Sequence, residues 1–367
     1  MKTGHSRSLI LGVSLLFAAL PVASTGLAQD KAPAAVDGTL LPYASTKDSV
    51  RLPDGRSLHL VCMGKGRPVV VLAAGGGGWS IDWSLVQPAV AAVTRVCSWD
   101  RAGLGLSAPS PEPQTVDNTT TDLEAALRAD GVGGPYILVG HSLGAYNSLL
   151  FADREPRNVA GMVLVDPSVP DQPARFARIT PAISRLLETE PPVVGFLQKC
   201  AAALRTGAVR RGGPDPDGCL RPPPPPPTYP PELRAALQAM SDVAPDVIAS
   251  AMEDIAAHAS AHVLDRDSRI VIKADRNYGA MPLIVLSAGD DGESPDLPAE
   301  IRAELPAQLA EKQRAHAELA RLSTRGVHRI VAGSSHDIPH IRPQAVVDAI
   351  DEVVAEARGP SPARPAH

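Results

Sequence analysis

Tyr136-Ile-Leu-Val-Gly-His-Ser-Leu-Gly144 is the stretch of sequence that decides the fold. A short apolar run ends in Gly-x-Ser-x-Gly and passes directly into residues 145–152, which are typical of a helix. A serine hydroxyl becomes a useful nucleophile only when it is exposed, oriented and next to a base. A sharp strand-to-helix turn provides this setting, and glycines at positions 140 and 144 let the turn close. The pattern predicts Ser142 as a nucleophile; the alternative is a plain turn.

The composition limits the classes of function that are open to the chain. Its 367 residues are 44% hydrophobic, and they can form one large domain with an insertion or two smaller domains. The formal net charge is −5, and aromatic residues make up 3% of the chain. Because nucleic-acid binding needs a basic surface, we expect no nucleic-acid partner.

The first 28 residues are predicted to be a signal peptide. Lys2 and Arg7 precede the apolar run Leu9–Ala23, and the small residues before position 29 suit cleavage after Ala28. The run is shorter than the about 20 residues of a membrane span, and an uncleaved anchor is the alternative. We therefore expect a secreted or periplasmic protein without stable membrane insertion.

Export makes disulfide bonds an expectation for the four cysteines. Cys62 and Cys97 lie in two strand-like segments, whereas Cys200 and Cys219 flank a loop rich in glycine, proline and arginine. These positions suggest Cys62–Cys97 and Cys200–Cys219, although four cysteines permit three connectivities and buried free thiols are the alternative. No Cys-x-x-Cys pattern or histidine cluster indicates a metal site, so neither a metal nor an organic cofactor is expected.

Strand and helix signals alternate over residues 50–168 and resume over residues 281–358. Nearly continuous apolar strands predict an α/β fold with a mostly parallel sheet covered by helices on both faces. In the second part, Leu305–Leu322 reads as an amphipathic helix with Pro306 in its first turn. Residues 29–49 read as a loosely ordered lead-in, and residues 359–367 as a flexible tail.

The strand pattern stops over residues 169–280, which read as helical until a strand signal at Arg269–Lys273. The hexaproline Pro222–Pro227 predicts an extended loop within this segment. An insertion at the carboxyl edge of an open α/β sheet lies where such sheets bind ligands. We therefore interpret the segment as a helical cap inserted between two strands.

The chain resembles the α/β-hydrolase superfamily, specifically its capped, exported serine hydrolases of esterase and lipase type. The resemblance covers roughly residues 50–166 and 281–358 and depends on five motifs in order. The motifs are Leu72-Ala-Ala-Gly-Gly-Gly-Gly-Trp-Ser-Ile-Asp-Trp83, Asp100-Arg-Ala-Gly-Leu-Gly-Leu-Ser107, Gly140–Gly144, Leu164-Val-Asp-Pro167 and Gly333-Ser-Ser-His-Asp-Ile-Pro339. Each motif is weak alone, but together they are specific.

The resemblance implies that two backbone N–H groups stabilise the negative charge that acyl transfer builds on a carbonyl oxygen. These oxyanion-hole donors map to Gly76 and Leu143, with Gly77 as the alternative in a shifted register. Many relatives carry His-Gly at this turn, where the present chain has Ala74-Gly75. A flexible glycine turn is a further alternative, and a phosphate-binding loop is disfavoured because no Gly-Lys-Ser/Thr follows.

His336 is the predicted base, because it follows the last strand and a turn of small residues. The chain order serine then histidine is that of the fold. A neutral imidazole can take the serine proton and return it to the leaving group. Two other histidines lie nearby: His340 is expected to be exposed near the closing helix, and His141 to pack inside the turn.

The acid that orients the base has two candidate positions. Asp166 follows the apolar strand Val159–Val165, where an unpaired carboxylate would be costly. Asp290 and Asp291 follow the later strand, the position that the superfamily uses more often, but their surroundings read as a solvated turn. The resemblance of Leu-Val-Asp-Pro and Gly-Ser-x-His-x-Ile to relatives with the earlier acid favours Asp166.

Other residues near these motifs are expected to have structural roles. Asp100 and Arg101 are predicted to brace a loop near the site, and Trp79 and Trp83 to pack against the cap. Val193–Leu204 and the segment 243–263 offer aliphatic faces for an apolar substrate pocket.

The sequence predicts an exported carboxylic-ester hydrolase that acts through an acyl-enzyme on a small-molecule ester with an apolar group. A lactonase, amidase or aminopeptidase would use the same triad. An aminopeptidase would also need cap carboxylates for the free amine, for which Glu188, Glu190 and Glu253 are candidates. A non-catalytic binding protein is a further alternative. Dehalogenases and epoxide hydrolases of this fold use an aspartate nucleophile, which Ser142 excludes. The oligomeric state is not predicted.

Overall fold

The computed structural model describes most of the chain from residue 36 onward. The described residues are 36–188, 192–210, 212–220, 225–241, 248–249, 252–253, 261–290 and 297–359. The predicted signal peptide, Glu190, Asp291, most of the predicted tail and part of the hexaproline run lie outside them.

An eight-stranded sheet organises the described part of the chain. Its strands are β1 Ser49–Arg51, β2 Ser57–Met63, β3 Val69–Ala73, β4 Val96–Trp99, β5 Tyr136–His141, β6 Val159–Val165, β7 Leu283–Ala288 and β8 Gly326–Val331. Their order across the sheet is β1-β2-β4-β3-β5-β6-β7-β8. The β1–β2 and β2–β4 pairs are antiparallel, and the other neighbouring strands are parallel. The predicted mostly parallel sheet is confirmed.

Helices connect the parallel strands. Those described are α1 Gln87–Ala91, α2 Val116–Ala129, α3 Gly144–Arg154, α4 Gln172–Ala177, α5 Pro181–Glu188, α6 Pro192–Arg205, α7 Pro231–Ser241, α8 Ala261–Val271, α9 Ala299–Ala320, α10 Ile338–Ile341 and α11 Pro343–Arg358. Short 3-10 helices span Gly38–Ala44, Thr46–Asp48 and Ser80–Trp83. Helices α4 to α8 lie between β6 and β7, in the segment interpreted as an inserted cap.

The central strand β5 shows how helices cover both faces of the sheet. Ile137 and Val139 join one buried cluster, to which α11 contributes Ile350. Leu138 points to the opposite face and joins a second cluster with Leu149 of α3. Alternate side chains of a strand face opposite sides, so an apolar run fits a sheet that is buried on both faces. Burying one such side chain contributes about 1.5–3 kcal/mol.

One predicted strand is wrong. Arg269–Lys273 is not a strand, because helix α8 extends to Val271. Asp267, Ser268 and Val271 are buried there while Arg269 and Ile270 are exposed, which is the periodicity of a helix.

The helix predicted over Leu305–Leu322 begins earlier than expected. Pro298 stands at its N-cap, and Glu300 lies in its first turn, so α9 starts at Ala299. Proline and an acidic residue both favour a helix start. Pro306 therefore lies inside the helix rather than in its first turn.

The segment between β6 and β7 packs on the core through α8. Oδ1 of Asp267 accepts a hydrogen bond of 3.2 Å from the backbone N–H of Val116, the first residue of α2. Val271 joins a buried cluster with Leu143 and Tyr146 of the strand-to-helix turn. This contact brings α8 close to the predicted nucleophile.

Three side chains of α6 belong to a buried cluster within the inserted segment. Cys200, Ala201 and Leu204 pack into a separate buried cluster with Val209 and Ala249. These side chains form the core of the inserted segment itself, and the supply of an apolar substrate pocket by Val193–Leu204 stays a prediction. Most of the segment 243–263 lies outside the described residues.

The two tryptophans after the glycine run occupy different environments. Trp79 packs against a cluster that contains Leu233 of α7, as predicted. Trp83 instead joins the core beneath the sheet with Val86 and Val90, so its predicted packing against the inserted segment is wrong. The 3-10 helix Ser80–Trp83 turns the second ring inward.

Both predicted disulfides are present. Cys62 of β2 and Cys97 of β4 are partners in the register of adjacent strands and are bonded to each other. Cys200 of α6 is bonded to Cys219 in the following loop. No free cysteine occurs among the residues described.

The lead-in before β1 is more regular than expected. The 3-10 helix Gly38–Ala44 buries Tyr43, whose hydroxyl donates to Oε1 of Gln87 at 3.1 Å. Leu40 and Tyr43 pack with Leu233 of α7. No helix in the part of the chain that the structure describes is long and apolar enough to cross a membrane.

Candidate active site

The backbone at Ser142 forms a sharp turn between β5 and α3. Its φ angle is +51°, in the left-handed region that residues with a side chain rarely adopt. Two flanking glycines make this turn possible. A Cβ added at Gly140 would lie 2.5 Å from the carbonyl oxygen of Gly144, and one added at Gly144 would lie 2.2 Å from that of Ala73. A strained serine at this position is typical of an exposed nucleophile.

The glycine run after β3 lies directly against this turn. A Cβ added at Gly75 would lie 3.3 Å from Cβ of Ser142, and one added at Gly76 would lie 3.6 Å from Cδ2 of Leu143. Gly77 has a φ of +71°, so the loop bends where only glycine is unstrained. The two predicted oxyanion-hole residues, Gly76 and Leu143, are therefore neighbours in space.

Arg101 holds the beginning of the glycine run. Its guanidinium donates to the carbonyl oxygens of Gly75 at 2.8 Å and Ala74 at 2.6 Å, and to Oδ1 of Asn147 in α3 at 3.0 Å. Burial lowers the pKa of Arg101 to about 10, which leaves the side chain cationic near neutral pH. The predicted brace thus joins the loop to the helix that follows Ser142.

Asp100 holds the end of the same loop. Its Oδ1 accepts a hydrogen bond of 2.8 Å from the backbone N–H of Ser80, and its Oδ2 accepts from Leu106 and contacts Nδ1 of His59 at 2.9 Å. The consecutive residues Asp100 and Arg101 therefore fix both ends of the glycine run, as the sequence predicts.

Asp166 and His336 come together at the carboxyl edge of the sheet, at the ends of β6 and β8. Nδ1 of His336 lies 2.5 Å from Oδ2 of Asp166, while Oδ1 of Asp166 accepts from the backbone N–H of Ala288 at 2.8 Å. Because the carboxylate accepts the Nδ1 proton, Nε2 of His336 is left free to act as a base. Asp166 has a φ of +39°, so its backbone is also strained.

The carboxyl group of Asp166 is almost completely buried, with 1% of the residue exposed. Burial alone would raise its pKa, but the Lys312 ammonium at 3.2 Å and the His336 hydrogen bond hold that pKa well below its usual range. Asp166 is therefore ionised at neutral pH. An ionised acid is what a cationic imidazole needs beside it.

Ser142 and His336 belong to loops that meet at the same sheet edge. A Cβ added at Gly75 would lie 3.3 Å from both Cβ of Ser142 and Nδ1 of His141, and the His141 ring centroid lies 4.8 Å from that of His336. Within the described residues, no hydrogen bond joins the Ser142 hydroxyl to His336 in this conformation. Serine–histidine hydrogen bonds are often long before substrate binds.

The other histidines near the site are engaged elsewhere. The Nε2–H of His141 donates to the backbone oxygen of His336 at 3.0 Å, and burial lowers the pKa of His141 to about 4. His141 is thus a neutral packing group, as expected. Nδ1 of His340 pairs with Oδ1 of Asp337 at 2.7 Å, and this bond raises the pKa of His340.

Among the alternative acids, only Asp290 lies within the described residues. Its backbone N–H donates to the carbonyl oxygen of Ser334 at 3.2 Å, in the turn before His336. The structure thus places Asp166, and not Asp290, in contact with the His336 ring. Asp291 lies outside the described residues.

Sequence reasoning missed a group of polar residues behind Asp166. The Nε2–H of His316 donates to the carbonyl oxygen of Pro167 at 2.8 Å, so Nδ1 of His316 accepts from the Ser287 hydroxyl at 2.6 Å. His328 donates in turn to Ser287 at 2.7 Å. Lys312 and His316 lie four residues apart on one face of α9, and this spacing is the signal that could have revealed them.

Comparison with known proteins identifies the class of protein. Residues 70–349 match the model of the alpha/beta hydrolase family, so the chain belongs to that family. Two structures share its fold. A probable hydrolytic enzyme from Pseudomonas aeruginosa is 17% identical, with a TM-score of 0.53, over 82% of this chain and 90% of its own. The epoxide hydrolase CorEH is 18% identical, with a TM-score of 0.52, over 83% of this chain and 96% of its own. At these identities the likeness concerns the fold alone.

Curated relatives match a shorter segment. The "Uncharacterized protein YqjL" of Bacillus subtilis is 35% identical over 102 residues, which is 28% of this chain and 40% of that protein. The "Putative carbamate hydrolase RutD" of Klebsiella pneumoniae is 38% identical over 102 residues, 28% of this chain and 38% of that protein. The chain thus spans about two fifths of the length of these relatives.

Proposed function

We propose that this hydrolase cleaves carboxylic esters through an acyl-enzyme formed on Ser142. The observation that carries the proposal is the 2.5 Å contact between Nδ1 of His336 and the buried carboxylate of Asp166, at the sheet edge where the strained Ser142 turn lies. This contact fixes the imidazole with Nε2 free. It is the arrangement that converts a nearby serine into a nucleophile.

The chemistry then proceeds in two halves. Oγ of Ser142 attacks the ester carbonyl carbon while Nε2 of His336 accepts the hydroxyl proton, and Asp166 stabilises the imidazolium. The tetrahedral intermediate collapses, the C–O bond to the alcohol breaks, and His336 returns the proton to the departing alcohol oxygen. Water then attacks the acyl-enzyme with the same proton transfers and releases the carboxylic acid.

The oxyanion of both tetrahedral intermediates is assigned to the backbone N–H groups of Gly76 and Leu143. Leu143 immediately precedes α3, where unpaired N–H groups and the helix dipole favour negative charge. The position of Gly76, where an added Cβ would be in van der Waals contact with Cδ2 of Leu143 at 3.6 Å, supports this pairing. Gly77, the next residue of the loop, is the alternative donor.

The substrate is proposed to be a small-molecule ester with an apolar group. Next to the proposed oxyanion donor Leu143, the side chains of Val116, Tyr146, Leu150 and Val271 form an apolar cluster. These side chains are themselves almost fully buried, so the cluster fixes helix α8 beside the proposed site. Helix α8 supplies Val271, so the inserted segment would take part in substrate selection.

Amide or carbamate cleavage is the second candidate, favoured by the relative named as a carbamate hydrolase. The same triad serves both bonds, so the substrate alone distinguishes them. Aminopeptidase activity has less support. Glu253, one predicted receptor for a free amine, forms an ion pair with Arg205 at an exposed position, and this pair lowers its pKa.

The decisive experiment for substrate class is a parallel screen of p-nitrophenyl esters of increasing acyl length, matched p-nitroanilides, a carbamate and a lactone. The proposal predicts the highest kcat/KM on an ester, with a preference for an apolar acyl chain. A higher kcat/KM on the anilide or carbamate than on the matched ester would replace ester cleavage by C–N bond cleavage.

Export of the protein is also proposed. The two disulfides support an oxidising compartment, and residues 1–28 have the composition of a signal peptide. N-terminal sequencing of protein from the periplasm or medium of an expressing bacterium should begin at Gln29. Full-length chain retained in the cytoplasm would overturn export.

A further inference from the structure

Lys312 reaches the carboxylate that holds His336. Its Nζ lies 3.2 Å from Oδ2 of Asp166, the same oxygen that lies 2.5 Å from Nδ1 of His336. The Lys312 side chain is 15% exposed, and that of Asp166 is fully buried. One carboxylate oxygen therefore serves both a cation and the candidate base, in surroundings that screen charge only partly.

Helix α9 is fixed in place around this contact. Gln313 donates to the carbonyl oxygen of Ala288 at 2.9 Å, and His316 donates to that of Pro167 at 2.8 Å. These bonds attach the helix to the ends of β7 and β6 within about one turn after Lys312. Because the helix is fixed in this way, the backbone of Lys312 is positioned so that its ammonium group can reach Asp166.

We propose that Lys312 is a positioning residue of the site, which locks Asp166 in place and partly neutralises it, so that His336 stays neutral to a lower pH. The proposal rests on the proposed function. A bare carboxylate would stabilise the imidazolium fully and keep His336 protonated, and therefore inactive as a base, to higher pH. The lysine reduces the stabilisation of the imidazolium, and the enzyme therefore stays active at lower pH.

Other charged groups around His336 remain the same when Lys312 is changed. Asp166 and His316 lie behind the ring, His141 packs beside it, and Asp337 follows it in the chain. Three further titratable groups belong to neighbouring elements in the described part of the chain. They are His340 of α10, Asp290 after β7, and His328 of β8.

The test compares Lys312→Met, which removes the charge, with Lys312→Arg, which keeps it. NMR titration of the His336 ring, in a Ser142→Ala background and assigned by its loss in His336→Gln, gives the midpoint of protonation directly. Lys312→Met should raise this midpoint by about one pH unit. The acid limb of kcat/KM in the Ser142 protein should move by the same amount, while Lys312→Arg stays close to the unchanged protein.

Arg314→Met is the matched control, because Arg314 is an exposed cation on the same helix that pairs with Glu311 and Glu318. It should leave the midpoint unchanged. Lys312→Gln repeats the charge removal if the methionine variant fails to fold. An unchanged midpoint in the neutral variants, with only a uniform loss of activity, would overturn the proposal. Because the titration needs no turnover, it reports on Lys312 even if Ser142 proves not to be the nucleophile.

Discussion

His336 and Asp166 lie 170 residues apart in the chain, yet Nδ1 of the imidazole is 2.5 Å from Oδ2 of the carboxylate. The acid follows β6, which is adjacent in the sheet to β5, the strand that leads into Ser142. Its other oxygen is held by the backbone of Ala288 at the end of β7. The position of this acid leads to the first prediction.

Asp166→Asn should preserve the fold but lower kcat by up to about 10⁴-fold, because the amide can stabilise the wrong imidazole tautomer. Steady-state kinetics on the best p-nitrophenyl ester measure the loss. Asp290→Asn and Asp291→Asn are the matched controls on the alternative turn, and each should cost less than about tenfold. A large loss of kcat in Asp291→Asn, with nearly unchanged kcat in Asp166→Asn, would show that the acid follows the later strand.

Arg101→Met should lower kcat by about 10²-fold with little change in KM, because the glycine run would lose its hydrogen bonds at Ala74 and Gly75. Circular dichroism checks that the variant folds, and Arg101→Lys tests whether one remaining donor suffices. Arg95→Met, which removes an exposed cation paired with Asp130, is the control. Unchanged kcat in a folded Arg101→Met protein would show that the loop needs no brace.

The buried His316 should make the protein less stable as the pH falls from about 6.5 to 4. Burial lowers its folded pKa to about 4, so the unfolded chain takes up a proton in this range and the folded chain does not. The contribution to the free energy of unfolding is of order 3 kcal/mol. Urea unfolding at several pH values should show this slope. His316→Gln should reduce it, and the part that comes from the buried His141, whose pKa is also lowered to about 4, should remain.

His340→Gln is the control for that experiment. The pairing with Asp337 raises the pKa of His340, so its contribution to stability is present at low pH and is lost as the pH rises through the folded pKa. Its removal cannot flatten the acid slope. An undiminished slope in His316→Gln, together with a reduced slope in His340→Gln, would contradict the assignment.

Replacing Cys200 and Cys219 together by serine should lower the free energy of unfolding by about 3 kcal/mol, because the disulfide closes a loop of about 18 residues. Chemical denaturation of both proteins under non-reducing conditions measures the difference. A non-reducing digest of the unchanged protein should yield the linked peptide. Two free thiols after purification from an oxidising compartment would contradict the pairing.

Local sequence patterns were enough to predict the parts of the site that depend on one loop each. Gly140 and Gly144 predict the strained turn at Ser142. The consecutive Asp100 and Arg101 predict a loop held by charged side chains. Strands that consist almost entirely of apolar residues predict a sheet that is buried on both faces. These signals are short-range and need no knowledge of which strands are neighbours.

Structural features that depend on packing between distant segments could not be predicted from local patterns. Val271 lies in a short apolar run whose pattern fits a strand as well as a helix. In the structure this residue ends a helix and packs against Leu143. Lys312 reads as an ordinary surface lysine on α9 until the order of β6 and β7 brings Asp166 to it. The choice between the two candidate positions for the acid was open for the same reason, because it also depends on which strands are neighbours.

The identity of the nucleophile is tested most directly by intact mass spectrometry after treatment with a fluorophosphonate. The unchanged protein should gain one adduct, located by digestion at Ser142, and lose its esterase activity in step. Ser142→Ala should gain none, whereas Ser148→Ala, which removes a hydroxyl bonded to the Gly144 carbonyl one turn further along α3, should label normally. Undiminished labelling and ester turnover in Ser142→Ala would contradict the account.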